Sequence, residues 1–65
     1  MTLLEQLRRE RKWSQRDLAA HLEKTQAAVS KWEKGLMTPH PRTRKKLAAL
    51  FNVEPVERLF ARVEE

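Results

Sequence analysis

Apolar residues recur along this chain at helical spacing, in clusters separated by short polar breaks. Leu3, Leu4 and Leu7 fall on one face of a first helix, and Leu18, Ala19 and Leu22 on one face of a second. Val29 and Trp32 belong to a third, Leu47, Ala48, Leu50 and Phe51 to a fourth, and Val56, Leu59, Phe60 and Val63 to a fifth. The breaks carry matching start and stop signals. Thr2 with Glu5 three positions on is a capping-box pattern, and it predicts a helix to about Arg11. Ser14 with Asp17 opens the second helix, and Thr25 opens a third that Gly35 ends. Pro39 disfavours helix in the residue before it and makes Leu36 to Pro39 a loop, His40 and Pro41 fit the cap and first turn of a helix to Phe51, Asn52 is a stop, and Pro55 opens the fifth helix. The prediction is an all-α, compact five-helix domain over residues 1–65.

Only Glu23 and Lys24 separate the second and third helices. A connection so short forces them to cross steeply, as in a helix-turn-helix unit. Composition agrees with helix throughout, with one glycine and three prolines among 65 residues. In a chain of this length a single domain without a second, ligand-sensing module is expected. The absence of cysteine excludes disulfides, and no apolar run is long enough for a signal peptide or a membrane span, so a cytoplasmic protein is expected. Fourteen basic against nine acidic side chains give a net charge of +5, which favours a polyanionic partner. The charge is uneven, with residues 1–46 at +7 and residues 47–65 at −2. Cations Arg42, Arg44, Lys45 and Lys46 crowd the start of the fourth helix, where they oppose the helix dipole and call for another use.

The run Leu18 to Gly35 closely resembles the second and third helices of the phage-repressor and Cro type (Xre) helix-turn-helix family. Upstream, Leu4, Leu7, Arg8, Trp13, Ser14 and Gln15 extend the resemblance, and downstream Gly35 to Pro39 and Thr43 to Val53 do the same. The family implies a DNA-binding transcription regulator, most simply a repressor, whose third helix, at about residues 26–34, enters the major groove. It places Gln26, Ala27, Ser30 and Lys31 at base-reading positions. Gln15 resembles a glutamine that holds a phosphate and braces the reading glutamine, and Thr25 resembles a cap that also meets phosphate. Arg8 and Glu33 match a partly buried structural ion pair. Lys12, Arg16, Lys34, Arg42, Arg44 and Lys45 supply further phosphate contacts. Duplex DNA with an inverted-repeat operator, bound by a homodimer, is the implied partner. The chain departs from the family where glycine and a hydrophobic residue usually form the turn, here Glu23 and Lys24, and at Arg44 and Lys45, where aliphatic residues are common.

Plainer explanations stand beside these. Trp13 and Trp32 are expected as core residues before they are stacking platforms for single-stranded bases. His21 and His40 have no cysteine or carboxylate pair at ligand spacing, so neither a metal nor a cofactor is expected. Scattered carboxylates without a nucleophile or paired acid give no catalytic site, and the chain is read as a non-enzyme. The stripe Val56, Leu59, Phe60 and Val63 is either core or, with Leu36 and Met37, a contact for a second copy. The rival readings are an antitoxin or adaptor that grips a protein partner, and a non-specific nucleic-acid binder.

Overall fold

The computed structural model describes residues 1–63. Four α-helices follow in order, α1 (Leu3–Glu10), α2 (Gln15–Leu22), α3 (Gln26–Lys34) and α4 (Pro41–Phe51), and then a 3-10 turn, Val56–Phe60. Each of the first three helices begins on the residue whose side chain can accept from an otherwise orphaned N–H. Thr2 accepts from the amide of Glu5 at 3.2 Å, Ser14 from Asp17 at 3.0 Å and Thr25 from Ala28 at 3.1 Å. At Ser14 the box is reciprocal, since its own N–H donates to the Asp17 carboxylate at 2.8 Å. At Thr2 it is not, because Glu5 turns away to pair with Arg9 at 2.7 Å. His40 caps α4 through its backbone geometry, without a side-chain bond.

All four helices end alike. A residue in the left-handed region, Lys12 (φ 60°), Glu23 (φ 56°), Gly35 (φ 76°) or Asn52 (φ 54°), reverses the chain. The N–H of the next residue then donates to a carbonyl five positions back: Trp13 to Arg8, Lys24 to Ala19, Leu36 to Lys31, Val53 to Ala48. This satisfies carbonyls that a helix end would otherwise leave bare. Only one of the four reversals uses glycine. The turn between α2 and α3 therefore takes the left-handed conformation at Glu23 with strain that glycine would relieve.

The core is built from Leu4, Leu18, Ala19, Leu22, Val29, Trp32, Leu47, Phe51 and Leu59, with Leu3, Leu7, Trp13 and Leu50 packed against its edge. Helices α2 and α3 pack most extensively on each other, and the 3-10 turn closes the other side against α1 and α4. The expected fifth helix is corrected here. Its segment is a single 3-10 turn because five residues after Pro55 the chain becomes extended and pairs with its own beginning. Thr2 and Arg62 form an antiparallel bridge, Leu3 N–H donates to Ala61 and Val63 N–H to Met1. Of the expected apolar stripe, Leu59 is fully buried, and Val56, Phe60 and Val63 are half-buried.

Glu23→Gly is expected to raise the unfolding free energy by about 0.5–1 kcal/mol, a left-handed penalty of roughly 1–2 kcal/mol less glycine's roughly 0.4–1 kcal/mol unfolded-state entropy. Urea denaturation measures this, and a loss of stability would contradict the strain. The Asp17 carboxyl is held below the usual carboxylate range, first by the Ser14 backbone N–H and then by the Ser14 hydroxyl. A depressed folded pKa means stability present above the unfolded value and lost as pH falls through the folded one. Acid titration of the melting temperature should therefore be shallower in Asp17→Asn at the acid end of the carboxylate range, and an unchanged slope would remove the box from that role.

Candidate nucleic-acid interface

Helix α3 turns Val29, Trp32 and Glu33 inward. The period of the helix consequently puts Gln26, Ala27, Ser30 and Lys31 together on the opposite side, with Gln26, Ala27 and Lys31 exposed and Ser30 half-buried. Lys34 continues the row, exposed.

One chain of polar bonds joins this face to the interior. Arg8 meets Glu33 in a two-pronged pair, Nε to Oε2 at 2.7 Å and Nη2 to Oε1 at 3.1 Å, with both residues buried. Its remaining prong, Nη1, donates to the Trp13 carbonyl at 2.7 Å, fixing the loop just before α2. Gln15, first residue of α2, donates from Nε2 to Glu33 Oε1 at 3.0 Å. Its Oε1 in turn accepts from Nε2 of Gln26, first residue of α3, at 2.6 Å. The polarity is forced: a carboxylate only accepts, so Gln15 must turn its amide nitrogen inward and offer its oxygen to Gln26. Three helices are thereby tied by one network of side chains that ends at an exposed amide.

The cations divide by placement. Lys12, Arg16, Lys34, Arg42 and Lys45 are exposed. Thr25, also exposed, keeps its hydroxyl on the Ala28 amide. Lys24, His40, Arg42 and Thr43 line one open hollow, so the start of α4 lies beside the α2–α3 turn. Arg44 is different. It is half-buried, and its Nε is enclosed without an acceptor. Leu36 and Met37, at 74% and 44% exposure, stand out on the loop after α3. They are set apart from Leu59, which is spent in the core.

A helix-turn-helix family model matches residues 4–58. The chain belongs to the helix-turn-helix family of the Xre and Cro type. Members of this family are DNA-binding transcription regulators, and the helix-turn-helix pair here is α2 and α3. No curated protein and no solved structure matches the chain. No helix among the described residues is long and apolar enough to cross a membrane.

One structural residue of this helix-turn-helix domain escaped the sequence reading. Arg11 lies over the rings of Trp13 (5.1 Å) and Phe51 (4.6 Å), and its Nη2 donates to the Leu50 carbonyl at 2.7 Å. It clasps the end of α1 to the end of α4 rather than facing DNA as a free cation. Trp13 also stacks on His21 with ring centres 4.2 Å apart. The only available signal was Arg11 standing two residues from a tryptophan, which spacing alone does not interpret.

Glu33→Ala should cost about 3–5 kcal/mol, because it leaves Arg8 buried without its counter-charge. That is a large share of the roughly 3–10 kcal/mol expected for a chain this size. Pairing Arg8→Met with Glu33→Leu should recover much of the loss in denaturation experiments. If the double replacement is no more stable than Glu33→Ala, the uncompensated charge is not the cause.

Proposed function

We propose that this chain is a sequence-specific duplex-DNA binder that regulates transcription, most simply by repression, working as one domain with α3 in the major groove. The observation that carries the reading is the polarity of the Arg8–Glu33–Gln15–Gln26 network. With one N–H given to Gln15, Gln26 retains one N–H donor and its carbonyl oxygen toward solvent. Adenine presents the complementary pair in the major groove, N7 to accept and N6–H to donate. Guanine presents two acceptors, which would face the Gln26 oxygen with repulsion. Beside it, Ala27 packs on a thymine methyl, Lys31 donates to guanine, and Ser30 contacts a base or phosphate. Thr25, Gln15, Lys12, Arg16, Lys34, Arg42, Arg44 and Lys45 serve the phosphates and set register.

Two copies bind an inverted repeat, with reading helices about 34 Å apart, one DNA turn. The exposed Leu36 and Met37 favour contact with a second chain. They are also the feature that favours the rival reading, an adaptor whose main partner is a protein. The protein works in the cytoplasm, on the nucleoid when bound.

Selection of bound duplexes from a randomised pool tests the reading. An enriched inverted repeat with a fixed adenine in each half-site is expected, and binding without enrichment would leave only a charge-driven binder. Gln26→Ala should cost about 1–3 kcal/mol on the selected site and relax one base position. Arg42→Ala should weaken all sequences and lower the salt slope by about one. Equal losses on all sequences for Gln26→Ala would take it out of the reading set.

A further inference from the structure

Trp13 stands just ahead of Gln15, and both its backbone and its ring are held. Its N–H donates to the Arg8 carbonyl at 3.2 Å, and its own carbonyl accepts from Arg8 Nη1 at 2.7 Å. The ring lies among the ends of three helices. The Arg11 guanidinium, just after α1, is 5.1 Å from its centre, and Phe51, the last residue of α4, is 6.0 Å away and tilted. His21, in the last turn of α2, is stacked on it at 4.2 Å with 25° between the planes. A residue just before an N-cap ordinarily packs on the fourth helical residue, here Leu18. Trp13 reaches past that position to His21, and with Asp17 and Ala20 the two rings line an open hollow of about 440 Å³. Trp13 thus grips α2 near both ends, by its backbone where the helix begins and by its ring where the helix stops.

The grip matters because Gln15 works to close tolerances. Its Nε2 stands 3.0 Å from Glu33, and its Oε1 stands 2.6 Å from Nε2 of Gln26, both across on α3. Burial of Leu18, Ala19 and Leu22 holds α2 to the core, but burial has no preferred direction. A helix of eight residues is about 12 Å long, so a tilt of about 5° moves one end by about 1 Å relative to the other. A shift of that size carries either bond out of hydrogen-bonding range. The stack on His21 adds the fixed geometry that burial lacks. We infer that Trp13 is a positioning residue for base reading: through its stack on His21 it sets the lie of α2, and so places Gln15 where it turns Gln26. The inference rests on the reading of Gln26 proposed above, and adds the residues that hold its brace in place.

His21 is the residue to change, since it is exposed and its loss leaves the core closed. In the isotope-labelled full chain without DNA, the side-chain amide signals of Gln15 and Gln26 report the bonds to Glu33 and to each other. His21→Ala is expected to move both signals toward those of unbonded glutamine side chains. His21→Phe, which stacks without a charge or a ring nitrogen, is expected to return them. On DNA, the ratio of affinities for adenine over guanine at the position facing Gln26 should fall about fivefold in His21→Ala, the lower end of what one two-bond base contact discriminates, and recover in His21→Phe. Affinity for unrelated DNA should match that of the native chain. Thermal melts establish that both variants are folded. Glutamine signals unmoved by His21→Ala, signals moved but not returned by His21→Phe, or an adenine preference unchanged in His21→Ala would each overturn the positioning role. A native chain without preference between adenine and guanine would instead overturn the reading of Gln26, and the two failures are read separately.

Discussion

The buried pair of Arg8 and Glu33 is the constraint on which the rest of this small structure depends. Burying two charges in a 65-residue chain is expensive, and they are tolerated because nearly every bonding direction is used. Arg8 spends two prongs on Glu33 and the third on the Trp13 carbonyl, while Glu33 takes a further bond from Gln15. The pair thus sits where α1, the start of α2 and the end of α3 meet. A hydrophobic replacement could hold these helices together. It could not dictate which way Gln15, and through it Gln26, points its amide. The ion pair contributes orientation, and the surrounding leucines contribute most of the cohesion.

The helix ends supply the second constraint. Each reversal sets the direction in which the next helix leaves, and three of the four are made by residues other than glycine. Asn52 tolerates that conformation through its short polar side chain, but Lys12 and Glu23 have no such help. The chain accepts strain at these two turns and keeps the crossing of α2 and α3 that brings Gln15 against Gln26.

Much of this was readable in the residues because the caps and the apolar periods are local. Ser14, Thr25, Pro41 and Gly35 announce their helices by side-chain chemistry, and the structure places each where its type predicts. The left-handed Lys12 was hidden, since nothing in a lysine marks such a turn. The fifth helix was over-read: its apolar spacing is helical, but the antiparallel bridge between Thr2 and Arg62 shortens the segment, and pairing between chain ends leaves no local signature. At the interface, Gln15 and Gln26 came from family resemblance, not spacing. A bond between residues on two helices has no period, and its polarity followed only once Glu33 was found at its inner end.

We propose that the buried pair, acting through Gln15, aims Gln26 at adenine. The most direct measurement is the affinity ratio between duplexes carrying adenine and guanine at the position Gln26 faces, compared for the native chain and Gln15→Leu. The native preference for adenine is expected to shrink in Gln15→Leu, by more than its affinity for unrelated DNA falls. An adenine preference that persists in full without the Gln15 amide would contradict it.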